Sequence, residues 1–233
     1  MPTSNILTWD PDGQRLFETG CDKGVVWIPG ANRSKTAYAW NGLSKVASKP
    51  SGADASDFYA DNVLYGSLRA AEKYGFSIEA YTYPRAFRVC NGARVSNGIV
   101  VGMQNRKPFD FCWRTLVGND EDGLDHGYVI HFAYNATVSP SEKESPTVGE
   151  SADVSAFTWE ANCIPTPVVD SNGAAILDEF GKAIKPTAYL EIPSNEVDAT
   201  KLAALEDIIY GTESVASRIP TPGEIIQLFK SNG

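Results

Sequence analysis

The densest set of side chains able to do chemistry is Gly118–His126, GNDEDGLDH, which holds four carboxylates and a histidine. Set as a calcium loop with Gly123 at the turn glycine, Asp120 and Asp122 fall on ligand positions. Gly118 then takes the first ligand position and Val129 that of the closing bidentate glutamate, so two ligands fail. The stretch reads instead as the acidic tip of a hairpin. Histidine catalysis has His126, beside Asp125, and His131 to draw on. His131 alternates with apolar residues and reads as a strand side chain facing outward, and no GxSxG elbow supplies a nucleophile. Cys21, Cys90, Cys112 and Cys163 form no CxxC pair and match no zinc spacing, so they read as small core residues. No GxxxxGK[ST] or GxGxxG phosphate loop is present, and nothing in the spacing of the acidic residues singles out a glycosidase pair. These residues imply neither an enzyme nor a metal or cofactor. Trp27, Trp40, Tyr81 and Tyr83 are candidates for a sugar-stacking platform, but their places on alternating strands favour core or subunit contact.

The elements around these residues are mostly strands. Ile99, Val101 and Met103 share a face, as do Phe109, Phe111, Trp113 and Thr115. So do Tyr128, Ile130, Phe132, Tyr134 and Ala136, and so do Phe157, Trp159, Ala161 and Cys163. Four such runs with no helix-length segment between them predict antiparallel sheets packed face to face. Earlier in the chain, a hairpin is expected from Arg15–Glu18 and Val25–Ile28 through Gly20–Gly24. Strands are expected over Thr36–Ser48, Phe58–Leu68 and Phe76–Tyr83, and a helical turn over Pro84–Val89. After Pro165 come a hairpin around Asn172-Gly173, a strand AYLEI at 188–192, and two amphipathic helices. Asp198 and Gly211 cap the first, which carries Leu202, Leu205, Ile208 and Ile209 on one face. The second opens on the capping box Thr221-Pro222-Gly223-Glu224. The expected fold is therefore mainly β: an antiparallel β-sandwich with a flanking helical turn and C-terminal helices. Residues 1–13 form an N-terminal arm, 14–165 the sandwich, and 166–233 a hairpin, strand and helices packed on the same body.

The stretch Lys49, Pro50, Ser51, Gly52, Ala53, Asp54, Ala55, Ser56 and Asp57 reads as a polar loop between two neighbouring strands. A sharp hairpin needs only about two to five residues. The connection here has nine, rich in Ser, Ala and Gly with Pro50 at its start, and gains little by packing on its own body.

Composition narrows the function classes. The 233 residues carry a net charge of −9, which disfavours binding nucleic acid through its phosphates. Residues 1–117 hold 14 Lys/Arg and 10 Asp/Glu, whereas residues 118–233 hold 6 and 19. Halves of opposite sign can associate through complementary faces. The N-terminus has no apolar signal segment, and no run of about 18 apolar residues offers a transmembrane helix, so cytosolic synthesis with free thiols is expected.

Several stretches carry a resemblance: AWNGLSKVASKPSGADA at 39–55, YADNVLYGSL at 59–68, IEAYTYPRAF at 78–87, GMQNRKPFDFCWRTLVGND at 102–120, GYVIHFAYNATVSPSEK at 127–143, and TAYLEI with DATKLAALEDIIYGT near the end. Together they resemble the major tail tube proteins of long-tailed, non-contractile bacteriophages. The resemblance implies a β-sandwich with a flanking helix, six copies to a ring, and rings stacked into a tube that phage DNA traverses on ejection. It implies that the chain's partners are its own copies and the tape measure, tail terminator and distal tail proteins. DNA would be a non-sticking cargo, and no membrane is involved. The protein would reside in the virion tail, after assembly in the host cytoplasm. It also implies that the loop at 49–57 reaches to neighbouring subunits and rings, which makes its nine residues candidates for subunit contact, mobile in the monomer and ordered in the tube. A carbohydrate-binding β-sandwich of a tail tip or baseplate is the alternative.

Overall fold

A computed structural model describes residues 7, 9, 11–30, 34–141, 147 and 154–230. Most of the expected N-terminal arm at 1–13 lies outside the described residues. The body is an eight-stranded antiparallel sheet that wraps into a sandwich. In chain order its first strands are β1 (Phe17–Pro29), β2 (Lys35–Trp40) and β3 (Leu43–Ser48). An excursion follows, containing β4 (Ser51–Gly52), β5 (Ala55–Ala60), β6 (Val63–Arg69) and β7 (Glu72–Lys73). The chain returns to the body in β8 (Gly75–Ala80), makes a 3-10 turn at Arg85–Val89, and forms a small hairpin from β9 (Arg94–Ser96) and β10 (Ile99–Val101). The long central strands are β11 (Phe109–Asn119) and β12 (Gly123–Val138), followed by β13 (Phe157–Cys163) and β14 (Tyr189–Pro193).

The pairing path runs β2-β1-β11-β12-β13-β8-β3, with β14 also on β12. Opposite β11, β12 is long enough to carry two partners: its middle residues, Val129–Ala133, pair with β14 and its last residues, Ala136–Val138, pair with β13. The two ends of the path, β2 and β3, are joined directly through Asn41-Gly42. Gly42 adopts φ +75°, and a Cβ there would meet Thr82 Cγ2 at 2.8 Å. The expected single strand Thr36–Ser48 is thus two strands at opposite ends of the wrapped sheet, divided at an Asn-Gly turn.

Two cores lie on the two faces of the central strands. The inner one joins Phe111 and Trp113 of β11 to Phe76 of β8 and Trp159 of β13. The rings of Phe76 and Phe111 stack at 5.9 Å, and Trp40 meets Trp159 edge-on at 5.3 Å. The outer core is covered by α1 (Ala199–Tyr210) and α2 (Pro222–Phe229), which set Leu202, Leu205, Ile209 and Ile225 against Trp27, Ile130 and Phe132. Both helices begin as their sequences require: Asp198 accepts from Lys201 N–H, and Thr221 and Glu224 close a reciprocal capping box. Ile208, expected on the buried face, is half-buried. Gly223 passes so close to Val169 that a Cβ would sit 1.8 Å from its carbonyl oxygen.

Other expectations need correction. β1 does not turn at Gly20–Gly24. It continues beside β11 with two bulges, where Gly20 and Lys23 take positive φ. Between the bulges Asp22 grips Arg114 with two hydrogen bonds of 2.7 and 2.5 Å. Nor does one face run through β12 as far as Ala136. At Asn135, φ +47°, the strand bulges, so Tyr134 faces the helices while Ala136 faces the inner core.

Candidate self-assembly interface

Residues 49–57 are not a loop between paired neighbours. β3 pairs with β8, and everything between them is one long hairpin. Lys49 N–H donates to Gly75 O at 2.7 Å and closes its base, with Lys49 Nζ 2.5 Å from Glu160. Ser51 and Gly52 pair with Lys73 and Glu72; Ala53 takes φ +60°; Ala55, Ser56 and Asp57 pair with Arg69, Leu68 and Ser67. The expected strand Phe58–Leu68 is folded back on itself at Asp61-Asn62, both with positive φ, the geometry of a two-residue hairpin turn. Of the nine residues expected to make subunit contact, only Lys49 lies at the body; Ser51 and Gly52 begin the ascending strand of the arm, and Ala55–Asp57 continue it.

The residues with most to bury lie beyond those nine. Tyr59, Tyr65 and Leu68 on the arm are 69%, 72% and 68% exposed, and Val63 and Leu64 are exposed as well. Phe58 lies across Gly66, where a Cβ would come within 2.6 Å of the ring. Apart from that ring's contact with Tyr65, at 5.9 Å, the aromatics of the arm have no ring partner among the described residues. A two-stranded ribbon is marginal alone in water. This one also presents two strand edges without backbone partners among the described residues, the template on which another chain pairs. At the arm's root Tyr74 stacks on Tyr189 at 4.5 Å and bonds Ser48 Oγ, so the arm is fixed to the body at one end, and no strand of the body pairs with it among the described residues. The turn dipeptide Asp61-Asn62 was the sequence signal for this hairpin.

The residues weighed for chemistry go elsewhere. His131 does not face outward. It is 5% exposed, lies flat on Trp113 at 5.0 Å, and has Nδ1 2.7 Å from Tyr189 Oη and Nε2 2.7 Å from Thr115 Oγ1. Tyr189 continues to Glu191 at 3.0 Å and Thr115 to Glu18 at 2.5 Å. Burial holds the imidazole below its ordinary pKa against the pull of Glu18 and Glu191. A ring sealed under Trp113 cannot reach a substrate atom, so the network acts as a polar strut inside the sandwich. In the acidic turn Asn119 accepts the N–H groups of Glu121 and Asp122, while Asp122 turns to His126 at 3.2 Å. Among the described residues no three His, Cys, Asp or Glu side chains converge at metal-binding distances. Burial raises the thiol pKa of Cys90 and of Cys163 to about 12, which keeps both protonated. The aromatic platform is dispersed: Trp27 and Trp40 are buried in different cores, Tyr83 packs on Phe157 and Trp159, and Tyr81 alone is exposed. No helix among the described residues is long and apolar enough to cross a membrane.

No protein-family model matches the chain, and no curated protein matches it.

Proposed function

We propose that this protein is a structural subunit that assembles with its own copies into stacked hexameric rings, forming the tail tube through which phage DNA passes into the host. The observation that carries this reading is the arm from Ser51 to Lys73, whose aromatic and aliphatic side chains are exposed and whose strands pair only with each other among the described residues. Such a surface is a ready template for another chain. The resemblance to tail tube proteins bears on the same place, since its stretches at 39–55, 59–68 and 78–87 run from β2 through the arm to β8 and the 3-10 turn. The tape measure, tail terminator and distal tail proteins are the further partners of such a tube. The net charge of −9 suits a conduit to which DNA does not stick. The proposed role is structural, without catalysis or cofactor.

A sugar-binding module is the weaker reading, because its aromatic platform is divided between two cores. Negative-stain microscopy of the concentrated protein separates the two. Long hollow tubes support the structural role. A monomer that stays monomeric and is retained on immobilised glycans contradicts it.

A further inference from the structure

We infer that the two ends of β11 are complementary poles through which copies of this chain stack head to tail. The inference rests on the self-assembly reading but names a contact separate from the arm. β11 has 11 residues and spans roughly 35 Å. At its Phe109 end lies the excursion 81–108, with the 3-10 turn and the β9–β10 hairpin. This stretch contains Arg85, Arg88, Arg94, Arg106 and Lys107 and no acidic residue. Several of these cations rest on neutral oxygens. Arg94 donates to Asn105 O at 2.9 Å, Arg106 to Asn91 Oδ1 at 3.2 Å, and Lys107 to Pro29 O at 3.4 Å. None of the five forms an ion pair with a carboxylate among the described residues. Between them the hairpin exposes Val95, Ile99, Val100 and Val101, and Met103 stands fully in solvent. This is an apolar tip in a basic collar.

The Asn119 end has the opposite character. Asp120 is answered by Arg15 at 3.3 Å and Asp122 by His126, but Glu121 and Asp125 are exposed and have no cationic partner among the described residues. Leu124, half exposed, gives this end an apolar contact of its own. Because the poles are different surfaces on one copy, their contact is heterologous and leaves a fresh pole at each end, so it propagates into an open stack. Opposed charges set its register and speed its formation, and salt weakens it.

Charge exchange tests this contact in the full chain. Arg85→Glu with Arg88→Glu takes the basic pole from five positive charges to a net of one, Glu121→Lys with Asp125→Lys reverses the two carboxylates of the other pole that have no cationic partner among the described residues, and a third variant carries all four changes. Association is followed by sedimentation velocity at about 0.1 M salt, where charges act over about 10 Å. Each two-site variant is expected to need at least about tenfold more protein than the wild type to associate, and the four-site variant to return toward wild-type behaviour. Melting temperatures near that of the wild type show that the variants fold. If reversal lowers melting, Arg85→Gln with Arg88→Gln reads the same pole with a smaller shift. Two-site variants that associate at wild-type concentration overturn the polar contact while leaving the tube reading standing, as does a folded four-site variant that fails to recover. A wild-type chain that remains monomeric at every concentration overturns both.

Discussion

Asp110 Oδ1 accepts the backbone N–H of Asn135 at 2.9 Å, and the same carboxylate holds the Lys35 ammonium. Asn135 is the residue at which β12 bulges. A bulge leaves a ladder group without its partner, and here a side chain from the neighbouring strand supplies one. The bulge lets one strand serve both cores: Phe132 and Tyr134 go to the helices, and Ala136 and Val138 to the sandwich.

This arrangement orders two substitutions. Asp110→Asn keeps an acceptor for Asn135 and frees Lys35, which is part exposed, so a loss of about 1–3 kcal/mol is expected. Lys35→Met strands a buried carboxylate and is expected to lose about 3–5 kcal/mol. Urea titrations of the two variants check the order, and a larger loss for Asp110→Asn contradicts it.

His131 should make stability depend on pH. Its folded-state pKa is depressed, so the unfolded chain takes up a proton first as pH falls. The contribution is complete above about 6.5, the ordinary histidine value, and is lost as pH drops through the lowered folded value. Glu18, Glu191, Tyr189 and Thr115 face the ring. Melting temperatures between neutral and mildly acidic pH are expected to fall more steeply for the wild type than for His131→Gln. Equal slopes would assign the acid sensitivity to other groups.

The helix layer is expected to contribute strongly to stability. Leu205 is fully buried against the outer face of the sheet, so Leu205→Ala should cost about 2–5 kcal/mol. Ile208→Ala, at a half-buried site, should cost less. Denaturation curves that show a loss well under about 1 kcal/mol for Leu205→Ala would mean that the helices do not hold the body together.

Local signals made much of this fold readable. The capping residues Asp198 and Thr221 fixed both helix starts, and the aromatic alternation from Phe109 to Trp113 and from Phe157 to Ala161 marked core strands. The misreadings share a cause. The Asn41-Gly42 and Asp61-Asn62 turns sit inside runs of strand-forming residues, whose alternation continues across the turn dipeptides and masks them. At Gly20–Gly24 the conflict runs the other way: glycine signals a turn, but β11 is long enough to draw the chain onward through bulges. His131 looks exposed by alternation and is buried because Trp113 and Tyr189 close over it from 18 and 58 residues away. Nothing in its own neighbourhood carries that information. For the interface, the sequence pointed to the right segment but to its polar root; the apolar residues that need a partner begin at Phe58.

The arm decides the account. Replacing residues 51–73 by Gly-Asn-Gly leaves Lys49 and Gly75 within reach of each other and removes no side chain of either core. The body should then melt within a few degrees of the wild type, since loop length has a small entropic effect. Electron microscopy of the wild type and the shortened chain, side by side at equal concentration, is the most direct measurement. Hollow tubes are expected from the wild type and none from the folded, shortened chain. Tubes from the shortened chain at the wild-type rate and concentration would show that the arm is not the bridge between copies.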